Sequence, residues 1–225
     1  MGKVQTDYLD FSDLERLDLK TITENGTRFY VDSMGTKLPS VTTVVGLKTR
    51  DQIQLWRKRV GEEEANRISQ KAARRGTAFH DKVEQYLRRE DDYIEFNNLI
   101  EEGMFKGIRG LLDQITPLAI ECPLYSPTLS MAGRVDCVGI FEDALAIIDF
   151  KTSAKYKKEE YAESWYLQMT AYAIMVEELT GEAIDELCAI VAIEDGNYQL
   201  FVSEPHRHVE ELVSLRNRYK NLYGV

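Results

Sequence analysis

The spacing of hydrophobic residues changes twice along the chain, and it predicts where strands and helices lie. The first 25 residues are mostly polar and predict an irregular arm with a short helix around Ser12–Leu17. β-Branched and aromatic runs at Thr27–Val31 and Lys37–Val45 then predict an N-terminal β-hairpin. Apolar residues next recur every three to four positions, which is typical of helices that bury one face. The predicted helical stretches are Asp51–Gln70 with Gly61 as a candidate break, Thr77–Arg88 and Tyr93–Ile115.

After Pro117 the spacing drops to two residues, as expected for strands whose side chains alternate between two faces. The predicted strands are Leu118–Tyr125, Met131–Phe141, Ala144–Lys151, Glu186–Ile193 and Tyr198–Val202, with helices over Glu159–Leu179 and after Ser203. This order predicts a mixed α/β domain with a central sheet flanked by helices. Because no segment has a linker composition, we expect one domain. Its parts are an arm at residues 1–25, a hairpin and helical region at 26–116, and a sheet core at 117–225.

The strands Met131–Phe141 and Ala144–Lys151 predict a hairpin that carries charged residues at its open end. A two-residue turn between them sets a register in which Asp136 lies opposite Asp149. Lys151 then shares the face of Asp149, because side chains alternate along a strand. The pairing depends on the turn, since a loop one residue longer would shift the register.

Two opposed carboxylates need a partner, because like charges that face each other across a sheet are destabilising. They could share a proton, or they could share a divalent cation. Oxygen ligands favour hard cations such as Mg²⁺ and Mn²⁺. Lys151 beside such a site could orient or deprotonate a water. The alternative is a plain hairpin with solvated acids and a lysine at its edge.

Two further polar side chains lie next to predicted apolar helix faces. His80 opens the amphipathic stretch Thr77–Arg88 and is either a boundary residue or an imidazole ligand, with Glu84 one turn later to orient it. Gln168 lies within the apolar stripe of the helix Glu159–Leu179. Its amide must be satisfied, either by a backbone group or by the site.

Charge is distributed unevenly. The chain has 38 acidic and 28 basic residues and a formal net charge of −10, which argues against non-specific coating of nucleic acid. Residues 48–75 nevertheless carry nine basic and four acidic side chains, and Trp56 and Phe79 lie in or beside them. Such a segment either binds nucleic acid through phosphate contacts and base stacking or is a solvated helix face.

The remaining composition excludes several classes of protein. With 44% hydrophobic and 29% charged residues, the chain has the composition of a globular protein. We expect no membrane association and a cytoplasmic location, since no apolar run is long enough for a membrane span and no signal peptide is seen. The three cysteines are too few and too scattered for a disulfide framework or a cysteine-based metal cage. Phosphate-loop, dinucleotide and Gly-x-Ser-x-Gly motifs are absent from the sequence.

Four motifs follow one another in the order typical of one enzyme family. They are Gly76-Thr77-Ala78-Phe79-His80, Gly133-Arg134-Val135-Asp136, Asp149-Phe150-Lys151-Thr152-Ser153 and Gln168-Met169-Thr170-Ala171-Tyr172. Together they resemble the PD-(D/E)XK nuclease core of the RecB-like branch. With Leu38-Pro39-Ser40-Val41-Thr42 and a helix bearing tryptophan and arginine, the chain is similar to mitochondrial genome maintenance exonucleases and related phage exonucleases. Val135 replaces the proline that names the superfamily, a replacement common in this branch.

The resemblance implies a restriction-endonuclease-like core and a metal-dependent DNA exonuclease. Mg²⁺ or Mn²⁺ would be held by His80, Asp136, Asp149 and the Phe150 carbonyl. Lys151 would position the attacking water, and Gln168 and Tyr172 would support the site. The helical region would grip DNA, with contacts expected from Ser40, Thr42, Trp56, Arg57, Arg75, Thr77, Arg134 and Thr152. Glu84 and Glu121 are accessory candidates. No iron–sulfur cluster is expected, because members that carry one use four cysteines.

Several functions stay open at this point. The same core could serve an endonuclease, and a non-catalytic DNA-binding module or a small-molecule phosphoesterase would also fit parts of the pattern. We expect a preference for single-stranded DNA or free ends. A role in replication, recombination or repair, in a bacterial or phage-infected cell, is the corresponding biological expectation.

Overall fold

The N-terminal part of the chain forms a small antiparallel sheet. The computed structural model describes residues 8–24, 26–32, 34–89 and 94–225. A short helix, α1 (Phe11–Leu14), precedes strands β1 (Lys20–Glu24), β2 (Thr27–Val31) and β3 (Lys37–Pro39), which pair in that order. The predicted hairpin is confirmed, but the irregular arm was wrong for residues 20–24, which form β1. Its five residues contain a single apolar side chain, so the strand left almost no hydrophobic pattern.

The prediction of one strand over Lys37–Val45 was also wrong, because a helix, α2 (Val41–Val45), begins after β3. Ser40 ends the extended segment by acting as the N-cap, and its hydroxyl accepts a hydrogen bond from the Thr43 amide at 3.2 Å. Such a cap satisfies a helix N–H group that would otherwise lack a partner. The β-branched residues of α2 are buried, and this packing, rather than their strand propensity, decides that they form a helix.

Three longer helices follow, α3 (Arg50–Val60), α4 (Glu62–Arg88) and α5 (Leu99–Leu112). The candidate break at Gly61 is confirmed, and its φ of 88° is a conformation that glycine adopts readily. Residues 71–76, which the pattern left between two helices, belong to α4. Tyr93 lies outside the described residues. Helix α5 begins at Leu99 because the Asn98 side chain accepts hydrogen bonds from the Ile100 and Glu101 amides at 3.1 and 3.0 Å.

The main sheet contains five strands in chain order. They are β4 (Thr116–Ser126), β5 (Met131–Phe141), β6 (Ala144–Ser153), β7 (Glu186–Ile193) and β8 (Tyr198–Ser203). Strands β6 and β7 are parallel and the other neighbours antiparallel, so the sheet is mixed. The parallel step is made by helix α6 (Glu163–Thr180), and helix α7 (Val209–Tyr223) follows β8.

Helices cover both faces of this sheet. On one face α6 packs on the sheet beneath α2 and α7, and on the other α4 and α5 build a core around Phe79, Met104 and Ile108. Helix α6 is buried on most of its circumference, so its apolar residues are not confined to the single stripe expected from the sequence. The predicted α/β class is confirmed. Within the described ranges, no helix is both long and apolar enough to span a membrane.

Candidate active site

The β5–β6 hairpin has the register expected from the sequence. Phe141 pairs with Ala144, and the same register runs outward to Cys137 and Ile148. The two turn residues, Glu142 and Asp143, both have positive φ, at 48° and 67°, as a tight two-residue hairpin turn requires. Beyond the last pair, the strands are joined by a side chain.

Asp136 fixes the open end of the hairpin against the next strand. Its Oδ2 accepts a hydrogen bond from the Phe150 amide at 2.9 Å. This hydrogen bond holds the Asp136 carboxylate next to Asp149. It also connects Asp136 to Phe150, the residue whose carbonyl was expected as a further metal ligand. The side chain of Asp136 is 13% exposed, so it remains reachable from solvent.

Asp149, which is buried, and Lys151, which is partly exposed, form an ion pair next to it. The Asp149 side chain is 2% exposed, and Lys151 Nζ pairs with its Oδ2. Burial raises the pKa of Asp149, which the charge of Lys151 opposes and that of Asp136 reinforces. Burial alone would lower the pKa of Lys151, but the charges of Asp149 and Asp136 outweigh it and raise that pKa.

Helix α6 supplies polar groups from the other side. Gln168 Nε2 donates to Asp149 Oδ1 at 3.3 Å and lies 3.5 Å from the Tyr172 hydroxyl. The glutamine therefore satisfies its amide at the carboxylate pair rather than on the backbone. Burial is the main reason why the pKa of Tyr172 lies well above its usual value, and the charges of Asp136 and Asp149 add to it.

His80 reaches the carboxylates from α4. Its Nδ1 is 3.5 Å from Asp136 Oδ2 and 3.8 Å from Glu121 Oε1. Burial lowers the pKa of His80, but the neighbouring carboxylates of Glu121 and Asp136 outweigh it and raise the pKa to about 9. The expectation that Glu84 orients the imidazole was wrong, because Glu84 Oε1 pairs instead with Arg88 Nε at 3.0 Å. Glu84 lies one helical turn after His80, which is why the contact was expected, but its side chain points toward Arg88 instead.

Glu121 enters the site through a strained backbone. Its φ is 48°, a left-handed value that costs a residue with a side chain on the order of 1–3 kcal/mol. It lies on β4 between the pairs Ile120–Cys137 and Cys122–Val135, so it faces Asp136 across the ladder. Arg134 Nη1 donates to the Glu121 carbonyl and holds this conformation. Sequence reasoning kept Glu121 only as an accessory, and the available signal was a charge within an apolar strand.

The donor set fits a hard divalent cation. Ligand atoms of His80, Glu121 and Asp136 all lie within 4.8 Å of one another. Asp149 Oδ2 is buried and has no hydrogen-bond partner among the described residues apart from its ion pair with Lys151. Carboxylate oxygens with one imidazole match the preferences of Mg²⁺ and Mn²⁺. The residues present are thus suited to the metal that the sequence pattern implied.

The expected DNA-contact residues fall into two groups. Near the site, Arg75 Nε donates to Thr152 Oγ1 at 3.1 Å and its guanidinium pairs with Glu194. Thr42 also lies near it, since this residue lines a cavity of about 220 Å³ together with Lys151 and Gln168.

The second group is engaged in other contacts or is exposed, although Arg134 lies beside the site through its hydrogen bond to the Glu121 carbonyl. Arg57 pairs with Glu62 and donates to Asn66, and Ser40 is buried as a helix cap. Thr77 and Arg134 are exposed, and Trp56 is half-buried. The suggestion that Phe79 could stack on bases was wrong, because its ring is 0% exposed in the core under α4. A helix residue adjacent to His80 necessarily points to a different side, here toward the sheet.

The position before the Arg-Val-Asp segment is a glycine, Gly133, because the Tyr172 ring occupies the space that a side chain would need. A Cβ built there would lie 2.7 Å from Tyr172 Cε1 and 3.0 Å from its hydroxyl oxygen. We expect Gly133→Ala to lower the free energy of unfolding by about 1–3 kcal/mol through overpacking. It should also slow catalysis, because the ring must move relative to Gln168.

Urea unfolding and single-turnover cleavage would measure both effects. The matched control is Gly110→Ala in α5, where a Cβ meets nothing within 4 Å. That change should stabilise the helix by about 0.5–1 kcal/mol. Equal stabilities of the two alanine variants would contradict the packing argument.

Comparisons with known proteins find relatives that are named as exonucleases. The human mitochondrial genome maintenance exonuclease 1 is 26% identical over 94% of this chain and 64% of its own length. The mouse protein of the same name is 26% identical over 79% of this chain and 55% of its own. The chain therefore spans less than two thirds of the curated relatives it matches. A crystal structure of an exonuclease candidate from Eubacterium rectale superposes with a TM-score of 0.45 at 11% identity, over 64% of this chain and 68% of that chain.

A family comparison covers most of the described core. The sequence profile of the PD-(D/E)XK nuclease superfamily matches residues 54–214, from α3 into α7. This range includes the hairpin, His80, Lys151 and Gln168, and it exceeds half of the chain. The prediction of a nuclease is thereby confirmed at the level of the family: the chain belongs to the PD-(D/E)XK nuclease superfamily.

Proposed function

We propose that this protein is a metal-dependent DNA exonuclease that hydrolyses phosphodiester bonds from free ends. The observation that carries the proposal is the convergence of His80, Asp136, Asp149 and Lys151 at the open end of one hairpin. The names of the curated relatives support the exonuclease assignment and the DNA substrate. We place the whole activity in one domain over residues 1–225, in the cytoplasm of a bacterial or phage-infected cell.

In this proposal His80, Asp136, Asp149 and the Phe150 carbonyl hold Mg²⁺ or Mn²⁺, with Glu121 as a further ligand. Such an ion polarises the scissile phosphate and lowers the pKa of water. Lys151 would orient the attacking water and accept its proton at Nζ, in the neutral amine form that the charge of a bound cation favours. Gln168 keeps Asp149 in place through its amide, and Tyr172 supports Gln168.

The DNA would approach across α2, α3 and α4. The basic segment at residues 48–75 attracts the phosphates locally, although the protein is acidic overall. Thr42 lies in the cavity next to Lys151, and Trp56 keeps part of its ring accessible for stacking on single-stranded bases. A preference for single strands, with use in replication, recombination or repair, is part of the same proposal.

A gel assay on end-labelled linear and circular single-stranded DNA tests the function. We expect the linear strand to be shortened with Mg²⁺ or Mn²⁺ but not with EDTA, while the circle stays intact. A cut circle would make the protein an endonuclease with the same site. Binding of both substrates without cleavage in any metal would overturn the enzymatic proposal and favour a DNA-binding module.

A further inference from the structure

A second cavity lies between α4 and the beginning of α5. Its volume is about 460 Å³, within the range of small-molecule sites. Its lining combines basic, apolar and acidic side chains, among them Lys71, Arg74, Phe79, Ile100, Glu101 and Met104. None of the carboxylates of the candidate metal site lines it.

Glu101 is the unusual group in this cavity. The residue is 7% exposed, and its Oε2 accepts hydrogen bonds from both the backbone amide and the side-chain amide of Asn97 at 2.9 Å. Its Oε1 is buried and has no hydrogen-bond partner in the part of the chain that the structure describes. A buried carboxylate oxygen without a donor is costly, so the cavity calls for a ligand that brings an N–H or O–H group.

The opposite wall of the cavity is positively charged. Lys71 and Arg74 are exposed, and across the described ranges neither forms an ion pair. The neighbouring Arg75 is already engaged with Glu194 and with Thr152, the residue after Lys151. Arg75 therefore joins the wall of the cavity to the strand of the candidate active site. Glu194 also lines the cavity but is paired with Arg75, which leaves Glu101 Oε1 as the carboxylate oxygen of this lining without a partner among the described residues. Cations at the rim, apolar side chains and this acceptor are complementary to a nucleotide with its phosphate outward and its base inserted.

We propose that this cavity receives one nucleotide of the DNA strand and that Glu101 selects bases with an exocyclic amino group. The inference rests on the proposed nuclease function and adds a base preference to it. The cytosine N4 amino group is a donor that a glutamate accepts well, and adenine and guanine also carry amino donors. Thymine and uracil have a carbonyl oxygen in place of that amino group. This oxygen and the Glu101 oxygen are both acceptors, so they cannot form a hydrogen bond.

A binding assay in EDTA tests the preference without cleavage. It measures by fluorescence anisotropy the affinity for labelled oligo(dC) and oligo(dU) of equal length. The two bases differ at position 4, where cytosine has an amino group and uracil a carbonyl oxygen, and at N3, which carries a proton only in uracil. Mildly alkaline buffer keeps cytosine neutral. We expect the wild type to bind oligo(dC) about tenfold more tightly, the effect of one charge-assisted hydrogen bond.

Glu101→Gln should remove or invert that ratio. Asn97 donates to Oε2, so the carbonyl of the glutamine stays there and its NH₂ group takes the place of Oε1. A donor then replaces the acceptor and suits uracil O4. The matched control is Glu102→Gln, which makes the same charge change at a residue that pairs with Lys106 at 2.7 Å. Lys71→Gln should weaken both oligomers by a similar factor, because a phosphate contact carries no base information.

Equal affinity of the wild type for the two oligomers would overturn the inference, and so would equal ratios for the Glu101→Gln and Glu102→Gln variants. Thermal unfolding of each variant confirms that a change in ratio does not come from misfolding. The outcome is separable from the nuclease proposal. Metal-dependent shortening of both oligomers without a base preference would leave the nuclease in place and remove only the role of Glu101. No binding of either oligomer in EDTA would overturn the inference alone, whereas no shortening of either oligomer with Mg²⁺ or Mn²⁺ would overturn the nuclease proposal on which it rests.

Discussion

Replacing Asp136 with asparagine is expected to lower DNA cleavage by at least about 10³-fold with little effect on folding. A bound metal ion contributes several kcal/mol to transition-state stabilisation, and each 1.36 kcal/mol corresponds to about a tenfold change in rate. Asparagine keeps the size of the side chain and an oxygen that can accept the Phe150 N–H group, but it lacks the charge that a cation needs.

The stability of the metal-free variant should change by less than about 1 kcal/mol. The charge of Asp136 attracts His80 and Lys151 but repels Asp149, so its loss removes opposing interactions. Single-turnover cleavage, Mn²⁺ titration calorimetry and urea unfolding measure the three quantities separately. Glu84→Gln is the control, since this carboxylate lies one turn from His80 but pairs with Arg88, and it should keep its rate within about threefold. Undiminished cleavage by Asp136→Asn would remove this carboxylate from the site.

The sequence was sufficient for the hairpin because two independent rules agree on its register. Strand alternation fixes which residues share a face, and a two-residue turn fixes the partner of each residue. The Phe141–Ala144 and Cys137–Ile148 pairs follow from these rules alone. The expectation that Gln168 could belong to the site agrees with its contact to Asp149, because a buried amide must find a partner.

What the sequence could not supply are features that depend on contacts between distant segments. The left-handed backbone of Glu121 is held by Arg134 of the next strand, and no strand pattern signals such a residue. The choice of Glu84 between His80 and Arg88 is a choice of rotamer, which helical spacing leaves open. Helix α2 was not predicted because its β-branched residues favour strands. In the structure the Ser40 N-cap and the burial of these residues outweigh that propensity.

Lys151→Met should reduce both stability and catalysis, and the two losses should respond differently to metal. Removing the ammonium leaves Asp149 buried at 2% exposure without its counter-ion, a change that costs about 3–5 kcal/mol in buried pairs. Loss of the group that handles the proton of the attacking water should lower the cleavage rate by about 10²–10⁴-fold. The control Lys37→Met breaks an exposed pair with Glu24 and should cost less than about 1 kcal/mol.

Two further measurements separate structure from chemistry at this pair. Combining Asp149→Asn with Lys151→Met removes the uncompensated charge, so the double variant should regain part of the lost stability while its cleavage rate stays at least as low as that of Lys151→Met. Saturating Mn²⁺ should stabilise Lys151→Met in urea unfolding, because a cation that binds only the folded state neutralises the carboxylates there. It should not restore cleavage, since no other group takes over the proton. If Mn²⁺ restored both properties together, Lys151 would act only as a counter-ion to Asp149; stability without activity would place it in the chemistry.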